Sequence, residues 1–259
     1  MARSHSRSHG SPQAGGLWLY GVHAVKAALA NPSRMKRRCV LTLSAAEAIG
    51  TTLLSRVAVE TADAERIARL VPSGAVHQGV ALQCEPLPRR DLEEVLHPAT
   101  RQTILVLDQV ADPHNVGAIL RSAAAFEAAA VIVQDRHAPP ESGTLAKAAS
   151  GGLDLVPYIT VVNIARALEQ LGNAGFWRVA LSGEGEQPLA QAVAGGNIAF
   201  VLGSEGSGLR RLVRARCDSS AFIAVGQRMD SLNVSNAAAI ALYEWRRHVD
   251  LTGAISIPE

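Results

Sequence analysis

The sequence predicts an α/β protein in which a small α/β unit precedes a larger domain built on a mostly parallel sheet. Three observations carry this expectation. From residue 103 onward, fully apolar runs such as Ile104-Leu105-Val106-Leu107 and Ile198-Ala199-Phe200-Val201-Leu202 alternate with helical stretches. That is the pattern of strands covered on both faces by crossover helices. Earlier, Glu85-Pro86-Leu87-Pro88 breaks the chain, and two prolines so spaced suit an extended connector. Finally, 48% of the 259 residues are hydrophobic but only 4% aromatic, which suits Ala-, Leu- and Val-rich helices packed on a sheet.

Residues 1–16 are Ser, His, Arg and Gly without an apolar stretch. They are expected to form a disordered basic tail, not a secretory signal. Its Arg3 and Arg7 either lie in solvent or touch phosphate. Order begins at Leu17-Trp18-Leu19-Tyr20-Gly21. Residues 22–30 read as a helix stopped by Asn31-Pro32. Arg34, Lys36, Arg37 and Arg38 make a basic turn before a strand at 39–43. A helix over 62–70 and a glycine-interrupted strand over 76–82 complete a unit spanning 17–85. Its basic turn is either a solvated face or a contact surface for RNA phosphate. Residues 86–100 read as a linker.

The second domain, 101–259, repeats a strand, loop and helix order. Strands are expected at 104–107, 130–133, 176–181 and 198–202, and helices at 116–127, 144–150 and 161–171. Gly151-Gly152 ends the middle helix, and a last helix runs to about 248. Two strand ends stand out. One passes into Gly203-Ser204-Glu205-Gly206-Ser207-Gly208, where glycines admit close approach of a ligand to backbone. The other, Phe222-Ile223-Ala224-Val225, leads through a polar loop at 226–231 to Leu232-Asn233-Val234-Ser235-Asn236, which opens a helix. Together they read as a small-molecule pocket at the carboxyl ends of parallel strands. The glycine loop lacks the Gly-Lys-Ser/Thr ending of a triphosphate cradle and the G-x-G-x-x-G spacing.

A third loop, Asp108 to Gly117, follows a buried strand and opens a helix. Pro113 stiffens it, and Asn115 stands where an N-cap would. Arg121 is either part of an exposed stripe or a held charge aimed at an anion. Arg210, Arg211, Arg214 and Arg216 read as an exposed helix face, with a role toward RNA open. His23, His77, His97, His114, His137 and His248 are scattered singly, so no metal is expected. Cys39, Cys84 and Cys217 lie far apart without a CxxC, which fits a reducing cytoplasm. No uncharged apolar run reaches the roughly 18–20 residues of a membrane span. The net charge of +2 does not by itself establish a nucleic-acid partner.

Taken in order, three segments resemble the motifs of the SpoU-type (TrmH-like) RNA ribose 2′-O-methyltransferases of the SPOUT superfamily. They are Asp112-Pro113-His114-Asn115-Val116-Gly117 with Leu120-Arg121-Ser122, then Val201 to Gly208, then Ile223 through Ser235. The match covers about 101–248. The front end, with Tyr20-Gly21-Val22-His23 and His77-Gln78-Gly79-Val80, is similar to the ribosomal-protein-like RNA-binding domain of many members. The resemblance implies a C-terminal trefoil knot, S-adenosylmethionine bound in it, and a homodimer. It also implies methylation of a guanosine ribose in 23S rRNA. Carried over, the catalytic side holds Asn115, Arg121, Glu205 and Asn233. The cofactor side holds Leu202, Gly203, Ile223, Leu232, Asn233 and Ser235. Arg121 either holds the target phosphate or removes the hydroxyl proton. Ala224 and Asn236 depart from the family pattern without removing a catalytic group. Two alternatives stand beside this reading. Transfer-RNA ribose methylation is disfavoured by the separate front domain. A non-catalytic RNA-binding protein is disfavoured by the four retained polar residues.

Overall fold

The structure is a computed structural model describing residues 16–97, 101–193, 196–226, 228–229 and 231–251. The expected basic tail therefore lies, apart from Gly16, outside the described residues. The first unit contains β1 (Leu17–Tyr20), α1 (Val22–Ala30), β2 (Lys36–Leu41), α2 (Leu43–Ile49), α3 (Thr51–Leu54), β3 (Ala58–Thr61), α4 (Ala64–Ala68) and β4 (Val80–Cys84). The strands form a sheet of order β1-β4-β2-β3. β4 runs antiparallel to β1 and β2, and β3 runs parallel to β2.

Helix α1 is where the sequence puts it, but the strands are not. The strand expected at 39–43 starts at Lys36 and stops at Leu41, because the Thr42 side chain caps α2 by accepting from the Ala45 N–H. The expected basic turn is thus largely the first half of β2. Lys36, Arg37 and Arg38 lie on that strand, while Arg34 precedes it and is only 2% exposed. The strand expected at 76–82 shrinks to β4. Gln78 and Gly79 have φ values of 54° and 74°, a left-handed conformation that no strand residue adopts.

The second unit runs β5 (Thr103–Asp108), α5 (Pro113–Ala125), β6 (Ala130–Gln134), α6 (Gly143–Ala149), α7 (Gly152–Leu155), β7 (Tyr158–Val161), α8 (Ile164–Asn173), β8 (Trp177–Leu181), β9 (Gln187–Pro188), α9 (Leu189–Ala192), β10 (Ile198–Gly203), α10 (Arg211–Arg214), β11 (Ser219–Phe222) and α11 (Val234–Leu251). Its seven strands have the order β7-β6-β5-β10-β8-β11-β9. Every neighbouring pair is parallel. Period-two alternation divides the apolar strands between two layers. Leu105, Leu107, Val131, Val133, Phe200 and Leu202 face the layer that holds α5, α6, α7 and α11. Ile104, Val106, Ile132, Ala199 and Val201 face α8, Val213 of α10, and Leu92 and Val95.

Three further expectations are refined here. The helix expected at 161–171 begins only at Ile164, where Asn163 caps it through the Arg166 N–H, and the residues before it form the edge strand β7. Gly151-Gly152 does mark the end of α6, but a further short helix follows directly. Ser150 and Gly151 turn left-handed, at φ 51° and 103°, and α7 starts at once. The linker is not a free tether. Leu92 and Val95 sit in a short 3-10 turn and are buried against the large sheet.

The small unit docks on the α6–α7 side of the large one. Leu19, Val25, Ala28 and Leu82 share a single apolar cluster with Leu145, Ala149 and Leu153. β1 and α6 approach so closely that a Cβ on Gly143 would lie 2.4 Å from the Trp18 carbonyl oxygen. Arg34 crosses the junction with its side chain fully buried. Its Nε and Nη2 donate to Asp154 at 2.8 and 3.0 Å, and its Nη1 donates to the Glu85 carbonyl at 3.2 Å and to Glu141. Burial alone would depress this guanidinium. The bonds and charges of Asp154 and Glu141 more than offset that, so its pKa is raised.

Candidate active site

Three loops meet at the carboxyl ends of parallel strands: those after β5, β10 and β11. β5 and β10 are paired along their full length, ending with Gly203 opposite Asp108. The first loop is capped one turn earlier than the sequence suggests. Asp112 is the N-cap of α5, its Oδ1 accepting from His114 N at 3.0 Å, and Pro113 is the first helical residue. Proline needs no hydrogen-bond partner at that position. Asn115 is therefore not the cap, and its side chain is free to reach across.

It reaches the other two loops. Asn115 Nδ2 donates to Glu205 Oε1 at 3.3 Å. Asn233 Nδ2 donates to the same oxygen at 2.6 Å and to Asn115 Oδ1 at 3.0 Å. A carboxylate only accepts, so both amide nitrogens must turn toward Glu205. That leaves Asn233 Oδ1 to accept from Ser235 N and Oγ, at 2.9 and 2.5 Å, at the start of α11. One side chain thus caps a helix and ties two loops together. Glu205 Oε2 keeps no protein partner among the described residues.

Within the glycine loop, Gly203 also has a packing role. A Cβ on Gly203 would lie 2.1 Å from the Gly208 carbonyl carbon and 2.5 Å from Leu209 N. The glycine is therefore needed for the loop to fold back on itself. Ser204 and Gly208 form an isolated bridge, and the Ser204 and Ser207 hydroxyls lie 2.6 Å apart. The far end of the loop is anchored by Arg210. Its backbone N and its Nε donate to the fully buried Asp108 at 3.0 and 2.8 Å, and its Nη2 donates to Gln134 at 2.9 Å. Arg210 is a brace, not part of an exposed helix face. Arginine periodicity hid this, since its carboxylate partner lies 102 residues earlier.

The expected cofactor residues fall into two groups. Leu202 is buried in the core, between β5 and β8, and Ile223 packs against that core. Leu232 joins Val225, Gly226, Arg228 and Met229 in an open, largely apolar basin. Val225 and Met229 are exposed there, so the basin presents apolar side chains at the surface.

Arg121 is not brought to this cluster. Six residues along α5 is about 600° of rotation, leaving it roughly 120° around the helix from Asn115. It is exposed and makes no hydrogen bond or ion pair among the described residues. Among those residues, no three His, Cys, Asp or Glu side chains gather as a metal site. No described helix is long and apolar enough to cross a membrane. Burial pushes the Cys39, Cys84 and Cys217 thiols up to about 12, so none is a thiolate near neutral pH.

A parallel sheet with polar loops converging at its carboxyl ends, joined to a small α/β unit, is an architecture shared with solved SpoU methyltransferases. Residues 102–243 match the SpoU rRNA Methylase family, and residues 18–90 match the domain described as RNA 2′-O ribose methyltransferase substrate binding. The chain belongs to the SpoU rRNA methylase family. It is 36% identical to the 23S rRNA (guanosine-2′-O-)-methyltransferase RlmB of Vibrio vulnificus, covering 88% of this chain and 95% of the relative. Identity to RlmB of Ralstonia nicotianae is 40%, covering 87% and 93%. Among solved structures, the SpoU methyltransferase AviRb of Streptomyces viridochromogenes, in complex with the cofactor AdoMet, shares the fold. The TM-score is 0.74 at 21% identity, covering 91% of each chain.

Proposed function

We propose that the protein transfers a methyl group from S-adenosylmethionine to the ribose 2′-hydroxyl of a guanosine in 23S rRNA, acting in the cytoplasm as a homodimer with a knotted C-terminal segment. The carrying observation is the Asn115–Glu205–Asn233 cluster beside the basin around Leu232. Residues 17–85 select the RNA, 86–100 join the units, and 101–259 carry the chemistry.

The basin suits an adenosyl group, since Val225, Met229 and Leu232 give it an apolar wall for a flat base, and Gly203 and Ile223 are assigned to the same cofactor by family resemblance. S-adenosylmethionine supplies the electrophilic methyl group when bound. The protein's own contribution is positioning, which can lower such a barrier by roughly 7–11 kcal/mol. Asn115 and Asn233 fix Glu205 so that its free oxygen can receive a hydrogen bond from the ribose. Arg121 clamps the target phosphate and makes the neighbouring hydroxyl easier to deprotonate, since a planar guanidinium binds phosphate in two places. Its position away from the cluster of its own chain fits service to the site of a second copy.

The test is methyl transfer from labelled S-adenosylmethionine to 23S rRNA, 16S rRNA and transfer RNA, without added metal. Label is expected at one guanosine ribose of 23S rRNA only. Transfer to transfer RNA alone, or none at all, overturns the proposal. Leu232→Asp should abolish cofactor binding by calorimetry, because it places an unpaired charge in the basin.

A further inference from the structure

The geometry points to Arg34 and Asp154 as positioning residues for the transfer reaction: their buried clasp holds the helix that carries Arg121 in register with the small domain. This rests on the reading of Arg121 given above. Asp154 lies on α7, and the first residue of that helix, Gly152, abuts the backbone of α5. A Cβ there would lie 2.5 Å from the Leu120 carbonyl oxygen and 3.0 Å from Arg121 N. The residue before it, Gly151, faces the small unit: a Cβ on it would lie 3.0 Å from that of Ala27 in α1. α7 is therefore a single turn wedged between the RNA-selecting unit and the backbone at Arg121.

The charges fix that wedge from one side. Arg34 engages both oxygens of Asp154, and Asn31 Nδ2 donates to Asp154 Oδ1 and to its carbonyl at 3.1 and 3.3 Å. Glu141 is held between Arg34 and the Leu87 N–H, which donates to its Oε2 at 2.9 Å. Such a network costs desolvation and is weak as a stabiliser, but a carboxylate held at both oxygens by a planar guanidinium has few alternative positions. A shift of the small unit upon RNA binding must then move α7, and with it the backbone of Leu120 and Arg121. Cofactor residues lie on other loops and do not share this path.

The test uses the full chain. The triple variant Arg34→Met, Glu141→Gln, Asp154→Asn removes every charge of the clasp without leaving an ion unpaired. Its kcat at saturating RNA and S-adenosylmethionine should fall at least tenfold, while cofactor Kd and KM for RNA stay within twofold. Amide hydrogen exchange at residues 120–122 should rise in parallel. Gly152→Ala, which pushes on the same backbone from within α7, should reproduce the kcat loss with Arg34 untouched. A folded triple variant with unchanged kcat overturns the inference, as does a change in KM alone. Should the triple variant fail to fold, Asp154→Asn is read by the same criteria. If the wild type transfers no methyl group, the proposed function fails instead, and the exchange at 120–122 still decides whether the clasp holds α5.

Discussion

Asn233 has two separable duties, and substitution should separate them. As a cap it supplies Oδ1 to Ser235 N; as a bridge it supplies Nδ2 to Glu205 and Asn115. Asn233→Ala removes both. Loss of a cap costs about 1 kcal/mol, which in a chain of this size lowers Tm by roughly 2–4 °C. Asn233→Ser keeps the cap, since serine ranks with asparagine there, but is too short to bridge. Its Tm should therefore lie above that of the Ala variant by about that amount. The bridge to Glu205 is a hydrogen bond to a charged group, worth roughly 1.5–3 kcal/mol. The cluster is exposed, so the lower end applies. Expressed in the transition state, that is about tenfold in rate. Single-turnover methyl transfer with excess enzyme should therefore slow by about tenfold or more in both variants, while the Ala variant melts earlier than the Ser variant. The reasoning is refuted if Asn233→Ser transfers at the wild-type rate. It is equally refuted if the Ser variant melts as early as the Ala variant, because the cap would then not be what Asn233 contributes to stability.

Arg121→Ala should fold and bind S-adenosylmethionine normally yet lose transfer by orders of magnitude; mixing it with Leu232→Asp and recovering activity would mean that sites are shared between copies, and near-normal turnover would reduce Arg121 to a surface residue. Gly203→Ala should open the glycine loop, since its Cβ would meet Gly208 backbone at 2.1 Å; calorimetry should find cofactor binding weakened at least tenfold, and unchanged binding would speak against the loop as a cofactor contact. Arg178 holds the Asp218 carboxyl below its ordinary value of 3.8, chiefly by side-chain hydrogen bonds. Because the folded value is the lower one, this pair contributes stability above the ordinary value and loses it as pH falls through the folded value. Denaturant titrations across acid pH should show a shallower loss for Asp218→Asn, and identical slopes would contradict the assignment.

Some of this was legible in the sequence and some was not, for physical reasons. Strands β5 and β10 announce themselves because burial on both faces demands an unbroken apolar run. The helix start at Asn233 is legible because capping is local chemistry. The cap of α5 is legible too, since a proline at the first helical position assigns it to Asp112 rather than Asn115. β7 gives no signal of its own, because four residues after Pro157 are too few to show a period, and its last residue, Val161, reads as the start of the next helix. Arg34 and Arg210 look like solvent- or RNA-facing charge in the sequence because their carboxylates come from 102 to 120 residues away. No local pattern reports such partners. The docked small unit follows from the same blindness. It also changes what truncation means, since removing residues before 98 would bare Leu145, Ala149 and Leu153 and leave Asp154 and Glu141 without Arg34.

The place of β10 in the sheet has a consequence for synthesis. It lies between β5, made nearly a hundred residues earlier, and β8, with the slot between them left open until residues 198–203 arrive. Any nascent chain shorter than that carries two unpaired strand edges flanking a gap, a form prone to aggregation. At about 5–20 residues per second the gap persists for seconds. Asn233 emerges later still, so neither its cap nor its bridge to Glu205 can form while the chain is short. The protein must be held out of trouble until almost all of it has left the ribosome, and it acquires its chemistry only then.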